Sequence, residues 1–395
     1  MTDPAKVFFR DPSYDGQFTR TLNAAVVHAA DLGEAFATAR GVGKLSGGGW
    51  YDAWSATADR ARVAADSALA AGDRVSARHA FLRASEYFRQ AYFFIRSDVD
   101  DPRLQTAYRD HVEAFAEAVK LLEHPAEAVR IPYEDTTLHG YFFAPHASST
   151  PRPTVVLPCG YDSTAESGWL DVPAAVDRGY NVLVFDGPGQ GETLYVQHRY
   201  LRHDFENVLT PVLDWLLDRP EVDPAKVVLV GRSFAGYLAP RAATAEHRIA
   251  ALVCDPAQPD LGARVPSGPA ALAAAPVVRV QMRRNADRAE FFRARMAAHG
   301  IDSVREYFAE LRRFTMLADA SRITCPALMV ESEHDFTAGG GPALREALTT
   351  KAQVVQLTAA EGVDGHCAGL GQQVWTGTVY PWLHRTLARS GRLLD

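Results

Sequence analysis

The stretch KVVLVGRSFAGY (226–237) decides how this chain is read. Its run VVLV has no polar residue, so the strand it forms is covered on both faces; a half-exposed strand would alternate. Gly231 ends the run, Ser233 follows two residues later, and a helical pattern begins at once. A serine on so sharp a strand-to-helix turn presents its hydroxyl above the sheet, which is the setting of a nucleophile elbow. Small residues must flank the turn because it draws backbone and neighbouring elements together. Gly231 satisfies this, and Ala235, followed by Gly236, stands at the second small position. The same pattern also suits a serine that merely caps a helix, so the segment becomes chemistry only with partners elsewhere.

Working outward, TVVLP (154–158), NVLVFD (181–186), IAALVCD (249–255), ALMVES (327–332) and VVQL (354–357) are further short apolar runs. Helical patterns fall near 165–178, 204–218, from 234, at 342–349 and at 372–389. This alternation predicts an α/β fold with a parallel sheet covered by helices. VRIPYEDTTLHGYFFAP (129–145) reads as a hairpin turning at Glu134-Asp135-Thr136. The segment 256–320, which includes RRNADRAEFFRARMAAHG (283–300), is too long for a strand-to-helix connection and predicts a helical insert. Before the hairpin no strand-like alternation occurs. Trp50 and Trp54, then Ala77, Ala80, Phe81, Ala84, Phe88 and Ala91 after a break at Gly72-Asp73, recur with helical spacing, and Asp101-Pro102 opens a last helix. The expected organisation is a helical N-terminal cap domain over 1–128 and a core over 129–395. This aromatic stripe reads first as core packing; YFRQAYFFIR (87–96) holds more aromatics than one helix face needs, so a cavity lining for some of them is the second reading.

Composition narrows the function. With 395 residues, 47% hydrophobic and 23% charged, the chain is of ordinary globular type. Its 41 basic and 48 acidic side chains leave a net charge of −7, which argues against nucleic acid or an anionic membrane as the main partner. No apolar run approaches the roughly 18 residues of a membrane span, and the N-terminus lacks the pattern of a secretory signal. Cys159, Cys254, Cys325 and Cys367 show no CxxC spacing, so neither a disulfide framework nor a metal site is expected. The expectation is a reduced, cytoplasmic protein that needs no cofactor and acts on a small molecule.

Serine needs a base within hydrogen-bond reach and an acid to orient that base. With an elbow of this kind the chain order is serine, acid, histidine. Asp335 follows the run ALMVES, where the sites of open α/β sheets collect. His366 lies in the Gly-flanked segment EGVDGHCAG (361–369) after VVQL. Glu333, Asp255 and Asp260 compete with Asp335 as the acid. An acyl-transfer site also needs two backbone N–H donors for an oxyanion. Phe234, after the serine, and Tyr161, in the loop CGYDST (159–164), are the candidates. Gly160 permits that loop's turn, and Asp162 and Ser163 are candidate substrate-binding residues with it.

These residues resemble the α/β-hydrolase superfamily. FDGPGQGET (185–193), PCGYDST (158–164), GRSFAGY (231–237), ITCPALMVESEHD (323–335) and EGVDGHC (361–367) are similar to the group of 2,6-dihydroxypseudooxynicotine hydrolase, FrsA-like and dipeptidyl-aminopeptidase-like proteins. The glycine-rich string lacks the GK[ST] ending and the GxGxxG context of nucleotide sites. The motif-bearing match covers about 130–390, and the helical N-terminal segment agrees in kind with the group's helical cap. The resemblance implies a cofactor-free serine-triad enzyme acting at a carbonyl carbon, with members that cleave C–C bonds of aryl ketones. It assigns Ser233 as nucleophile, His366 as base, Asp335 as acid, and Tyr161 and Phe234 as oxyanion donors. It also implies a homodimer. Acyl transfer or cyclisation uses the same triad, and a non-catalytic binding protein is the competing class.

Overall fold

The N-terminal helices each begin at a short polar side chain that satisfies the first free N–H groups. The computed structural model describes residues 6–390. Asp11 caps α1 (Pro12–Ala24), Asp31 caps α2 (Leu32–Gly41) and Ser46 caps α3 (Gly47–Ala70). Asp73 caps α4 (Arg74–Tyr92), and Asp101 caps α5 (Pro102–Val119). Every residue from Ala84 to Arg96 is buried. The aromatics there are core residues, as the stripe's first reading has it: α4 packs between α3 and α5, against α1 and the loop after β3, so every side of it is covered, and its buried Glu86 and Arg89 pair with each other. Trp50 and Trp54 are fully buried beside it.

Strands follow. The hairpin β1 (Ala126–Tyr133) and β2 (Thr136–Phe143) turns at Glu134-Asp135, with Glu134 at φ 47°. Then come β3 (Arg152–Pro158), α6 (Val172–Val176), β4 (Asn181–Phe185), α7 (Gly191–Tyr195), α8 (Glu206–Leu217) and β5 (Val222–Arg232). Next are α9 (Ala235–Ala243), β6 (Ala251–Asp255) and the insert helices α10 (Gly268–Arg284), α11 (Ala286–Ala298) and α12 (Val304–Leu311). The chain closes with β7 (Ala327–Ser332), α13 (Gly341–Ala347), β8 (Ala352–Leu357) and α14 (Gln372–Ser390).

The strands form one eight-stranded sheet in the order β1-β2-β4-β3-β5-β6-β7-β8. β1, β2 and the β2–β4 pair run antiparallel, and the rest is parallel. The helix expected over 165–178 is instead a short turn at Glu166–Leu170 followed by the five-residue α6, with Pro173 at its start. No described helix is long and apolar enough to cross a membrane. One apolar cluster runs without interruption from Phe9 and Trp50 through the sheet to Leu387. The insert has a smaller cluster of its own, centred on Met296, Tyr307 and Phe308. Because β5, β7 and β8 are parallel, their C-terminal ends deliver three loops to one edge, where the site lies.

Candidate active site

Ser233 sits between β5 and α9 at φ 57°, a left-handed conformation that costs a non-glycine residue about 1–3 kcal/mol. The surroundings enforce it. Its N–H donates to the Asp255 carbonyl at 2.7 Å, and its own carbonyl accepts from the Gly236 N–H at 2.9 Å and the Gln258 amide at 2.7 Å. A Cβ on Gly231 would run into the Ala235 carbonyl, and one on Gly236 into the Pro256 carbonyl. The tightest approach after the serine thus falls at Gly236, and this explains why alanine suffices at 235.

Ser233 Oγ is 2.8 Å from His366 Nε2, and His366 Nδ1 is 2.9 and 3.1 Å from the two Asp335 oxygens. Asp335 is buried and also accepts from the Thr337 N–H at 2.8 Å, its hydroxyl at 2.7 Å and the Cys367 N–H at 3.0 Å. Burial alone would raise its pKa; His366 and these donors outweigh burial and hold it below the usual carboxylate range. Burial pulls His366 down, but the neighbouring Cys367 and Asp335 outweigh it and carry the imidazole above its ordinary range. The competing carboxylates are engaged elsewhere: Glu333 accepts from the Ala359 N–H at 2.7 Å, Asp260 from the Ala263 N–H at 2.9 Å, and Asp255 pairs with Arg232 at 3.0 Å.

Arg232 carries no signal in the sequence beyond its place before the serine. Besides Asp255 it holds Asp171 at 2.6 Å, donates to the Cys367 carbonyl at 2.7 Å and lies over the Trp375 ring at 4.5 Å. One half-buried guanidinium therefore joins the end of β5 to the loop that carries His366. Burial pushes Asp255 up to about 6, against the pull of Arg232.

The loop after β3 reaches the serine. A Cβ on Gly160 would lie 3.4 Å from Ser233 Cβ and 3.5 Å from the Phe234 nitrogen, and the Tyr161 and Phe234 rings are 3.9 Å apart. Among the described residues, no acceptor takes the main-chain N–H of Tyr161 or of Phe234. Asp162 and Ser163, the candidate substrate-binding residues, are in contact with arginines. Asp162 pairs with Arg96 at 2.7 Å and Arg295 at 3.7 Å, while Arg20 donates to the Asp162 carbonyl at 3.0 Å and to Ser163 Oγ at 3.3 Å. Burial would raise the Asp162 pKa, yet Arg96 and Arg295 hold it far below the usual range. Burial pushes His299 down to about 3, and its Nε2 is hydrogen-bonded to the Tyr161 hydroxyl. Beneath, Gln190 accepts from the Gly187 N–H at 2.7 Å and donates to the Cys159 carbonyl at 2.5 Å. The glycine-rich string thereby braces this loop. Phe336 is exposed, and its ring lies 5.2 Å from that of His366.

Known proteins to which the chain is similar are named hydrolases. The chain is 39% identical over 269 residues to Hydrolase acrC of Aspergillus aculeatus, covering 63% of this chain and 62% of that protein. It is 37% identical over 262 residues to 20-hydroxy-prefusarin hydrolase of Gibberella moniliformis, covering 63% and 62%. The matched stretch thus spans less than two thirds of those relatives' own length. In fold it is similar to 2,6-dihydroxy-pseudo-oxynicotine hydrolase, with a TM-score of 0.76 at 21% identity over 93% of this chain and 95% of that one. The model of the "Alpha/beta hydrolase family" matches residues 138–372, and the chain belongs to that family.

Proposed function

We propose that this protein is a serine hydrolase acting at a carbonyl carbon. The observation that carries the reading is the continuous chain from Ser233 Oγ to His366 Nε2 at 2.8 Å and from His366 Nδ1 to Asp335 at 2.9 Å, built on a left-handed serine. His366 takes the hydroxyl proton as Oγ attacks, and the Asp335 carboxylate stabilises the imidazolium that forms. The unclaimed N–H groups of Phe234 and Tyr161 receive the oxyanion. The protonated His366 then gives its proton to the leaving group. Water, deprotonated by His366, releases the acyl group from Ser233.

The bond broken is an ester, an amide or the C–C bond of an aryl ketone in a medium-sized, partly aromatic metabolite. Two observations support that class: the rings of Tyr161, Phe234 and Phe336 near the serine and histidine, and a relative named for hydrolysis of 20-hydroxy-prefusarin. The test is mass spectrometry after a fluorophosphonate, on wild type and on His366→Ala. One adduct on Ser233 that largely disappears in the variant is expected. Ser233→Ala should keep the fold and lower turnover on a cleaved ester by about 10⁶. Near-wild-type turnover in that variant removes Ser233 from the chemistry.

A further inference from the structure

The hydrolytic scheme uses the side of the His366 ring that faces Ser233, but the same nitrogen has a second neighbour. Cys367 Sγ lies 3.5 Å from His366 Nε2. Asp335, His366 and Cys367 bring a carboxylate oxygen, a ring nitrogen and a thiol within 4.8 Å of one another. We propose that His366 and Cys367 form a binding site for one thiophilic divalent cation of the Zn²⁺ type, whose occupation removes the base and silences Ser233.

The spacing suits such an ion. With Zn–N of about 2.0–2.1 Å, Zn–S of about 2.3 Å and a tetrahedral angle, the two ligand atoms stand about 3.5 Å apart. A histidine that ligates a metal usually donates its other ring N–H to a carboxylate. Asp335 stands at His366 Nδ1 in that position. The backbone holds the pair ready: Cys367 is left-handed at φ 49° and Ala368 at φ 70°, which turns the thiol back beside the preceding ring. The Cys367 N–H is fixed by Asp335 at 3.0 Å and its carbonyl by Arg232 at 2.7 Å. Ser233 Oγ, 2.8 Å from Nε2, and water supply the remaining ligands. Binding replaces the contact from the thiol to the Asp255 carbonyl at 3.4 Å. The thiol proton leaves to solvent, and no electron is transferred. Soft thiolate together with imidazole favours Zn²⁺, Cd²⁺ or Co²⁺ over Mg²⁺ or Ca²⁺.

Titration of the purified protein with Co²⁺ tests this, because the thiolate-to-cobalt charge-transfer band reports sulfur ligation without any turnover. A band saturating at one equivalent is expected in wild type and absent in Cys367→Ser. Asp335→Asn should weaken Co²⁺ binding by about 10–100-fold. Fluorophosphonate labelling of Ser233 should fall about tenfold when free Co²⁺ is ten times its Kd, and return with EDTA. A readout that needs no variant is alkylation. Cys159, Cys254 and Cys325 are buried, so N-ethylmaleimide reads Cys367, and Co²⁺ should protect it. Lack of a thiolate band, a band that survives in Cys367→Ser, or undiminished labelling with the metal bound overturns the proposal. If the band appears but the metal-free protein takes no adduct, the metal site stands and the hydrolase reading fails.

Discussion

At Ser233 the backbone holds a conformation that the residue disfavours, and a histidine sits where that conformation aims the hydroxyl. The pH behaviour follows from the neighbours of that histidine. Burial lowers its proton affinity, Cys367 and Asp335 raise it, and the net direction is up from the ordinary 6.5. Only neutral His366 can accept the serine proton, so kcat/KM should rise with pH along a limb whose midpoint lies above 6.5. Asp335→Asn removes the supporting charge and should move the limb to lower pH while reducing kcat by about 10⁴. A pH–rate profile on both proteins checks the direction, and an unmoved limb would separate Asp335 from the imidazole. Arg232 makes a different prediction. Arg232→Ala leaves Asp255 and Asp171 without their cation and releases the Cys367 carbonyl. Chemical denaturation should show a loss of about 3–5 kcal/mol, with kcat falling more than KM rises.

At the scale of elements, the loop after β3 is held from two sides. Arg20 comes from α1 and Arg96 from the turn just past α4, while Arg295 comes from α11 in the insert. All three converge on Asp162 and Ser163, next to Tyr161. Asp162 is therefore a positioning residue, and its charge matters to stability with a definite sign. Its pKa in the folded protein lies below the ordinary 3.8. The stabilisation is fully present above that value and is lost as pH falls below it. Asp162→Asn should cost about 3–5 kcal/mol near neutrality, since Arg96 is left buried and unpaired. Stability of the variant should also vary less than that of wild type between pH 4 and pH 2. Parallel acid titrations followed by circular dichroism measure both effects.

For the whole molecule, the continuity of the apolar cluster decides what unfolds together. The N-terminal helices share one core with the sheet, so their amides and those of β5 and β6 should exchange with solvent in one slow cooperative class. The insert rests on its own small cluster, and α10 leaves Leu272, Val277 and Val280 exposed. Amides of α10 should therefore exchange by local opening, faster than those of β5 by at least an order of magnitude. Hydrogen-exchange mass spectrometry resolves the two segments, and equal protection would show the insert to be part of the main cooperative unit.

The sequence by itself determined the parallel sheet, the elbow at Ser233 and the order of Ser233, Asp335 and His366. Burial on both faces writes a run such as VVLV, and a sharp turn writes Gly231 before the serine; both depend on neighbours a few residues away. Tertiary structure alone decided which carboxylate meets His366, because Glu333, Asp255, Asp260 and Asp335 carry the same group and differ only in where their loops end. It decided as well that Asp162 pairs with arginines from two other elements, that Arg232 ties the elbow to the histidine loop, and that Cys367 Sγ stands beside Nε2. Most of those contacts join residues far apart in the chain, so they depend on how α1, α4 and α11 pack over the sheet. The last joins chain neighbours, and there the left-handed turn at Cys367, held by Asp335 and Arg232, sets the geometry.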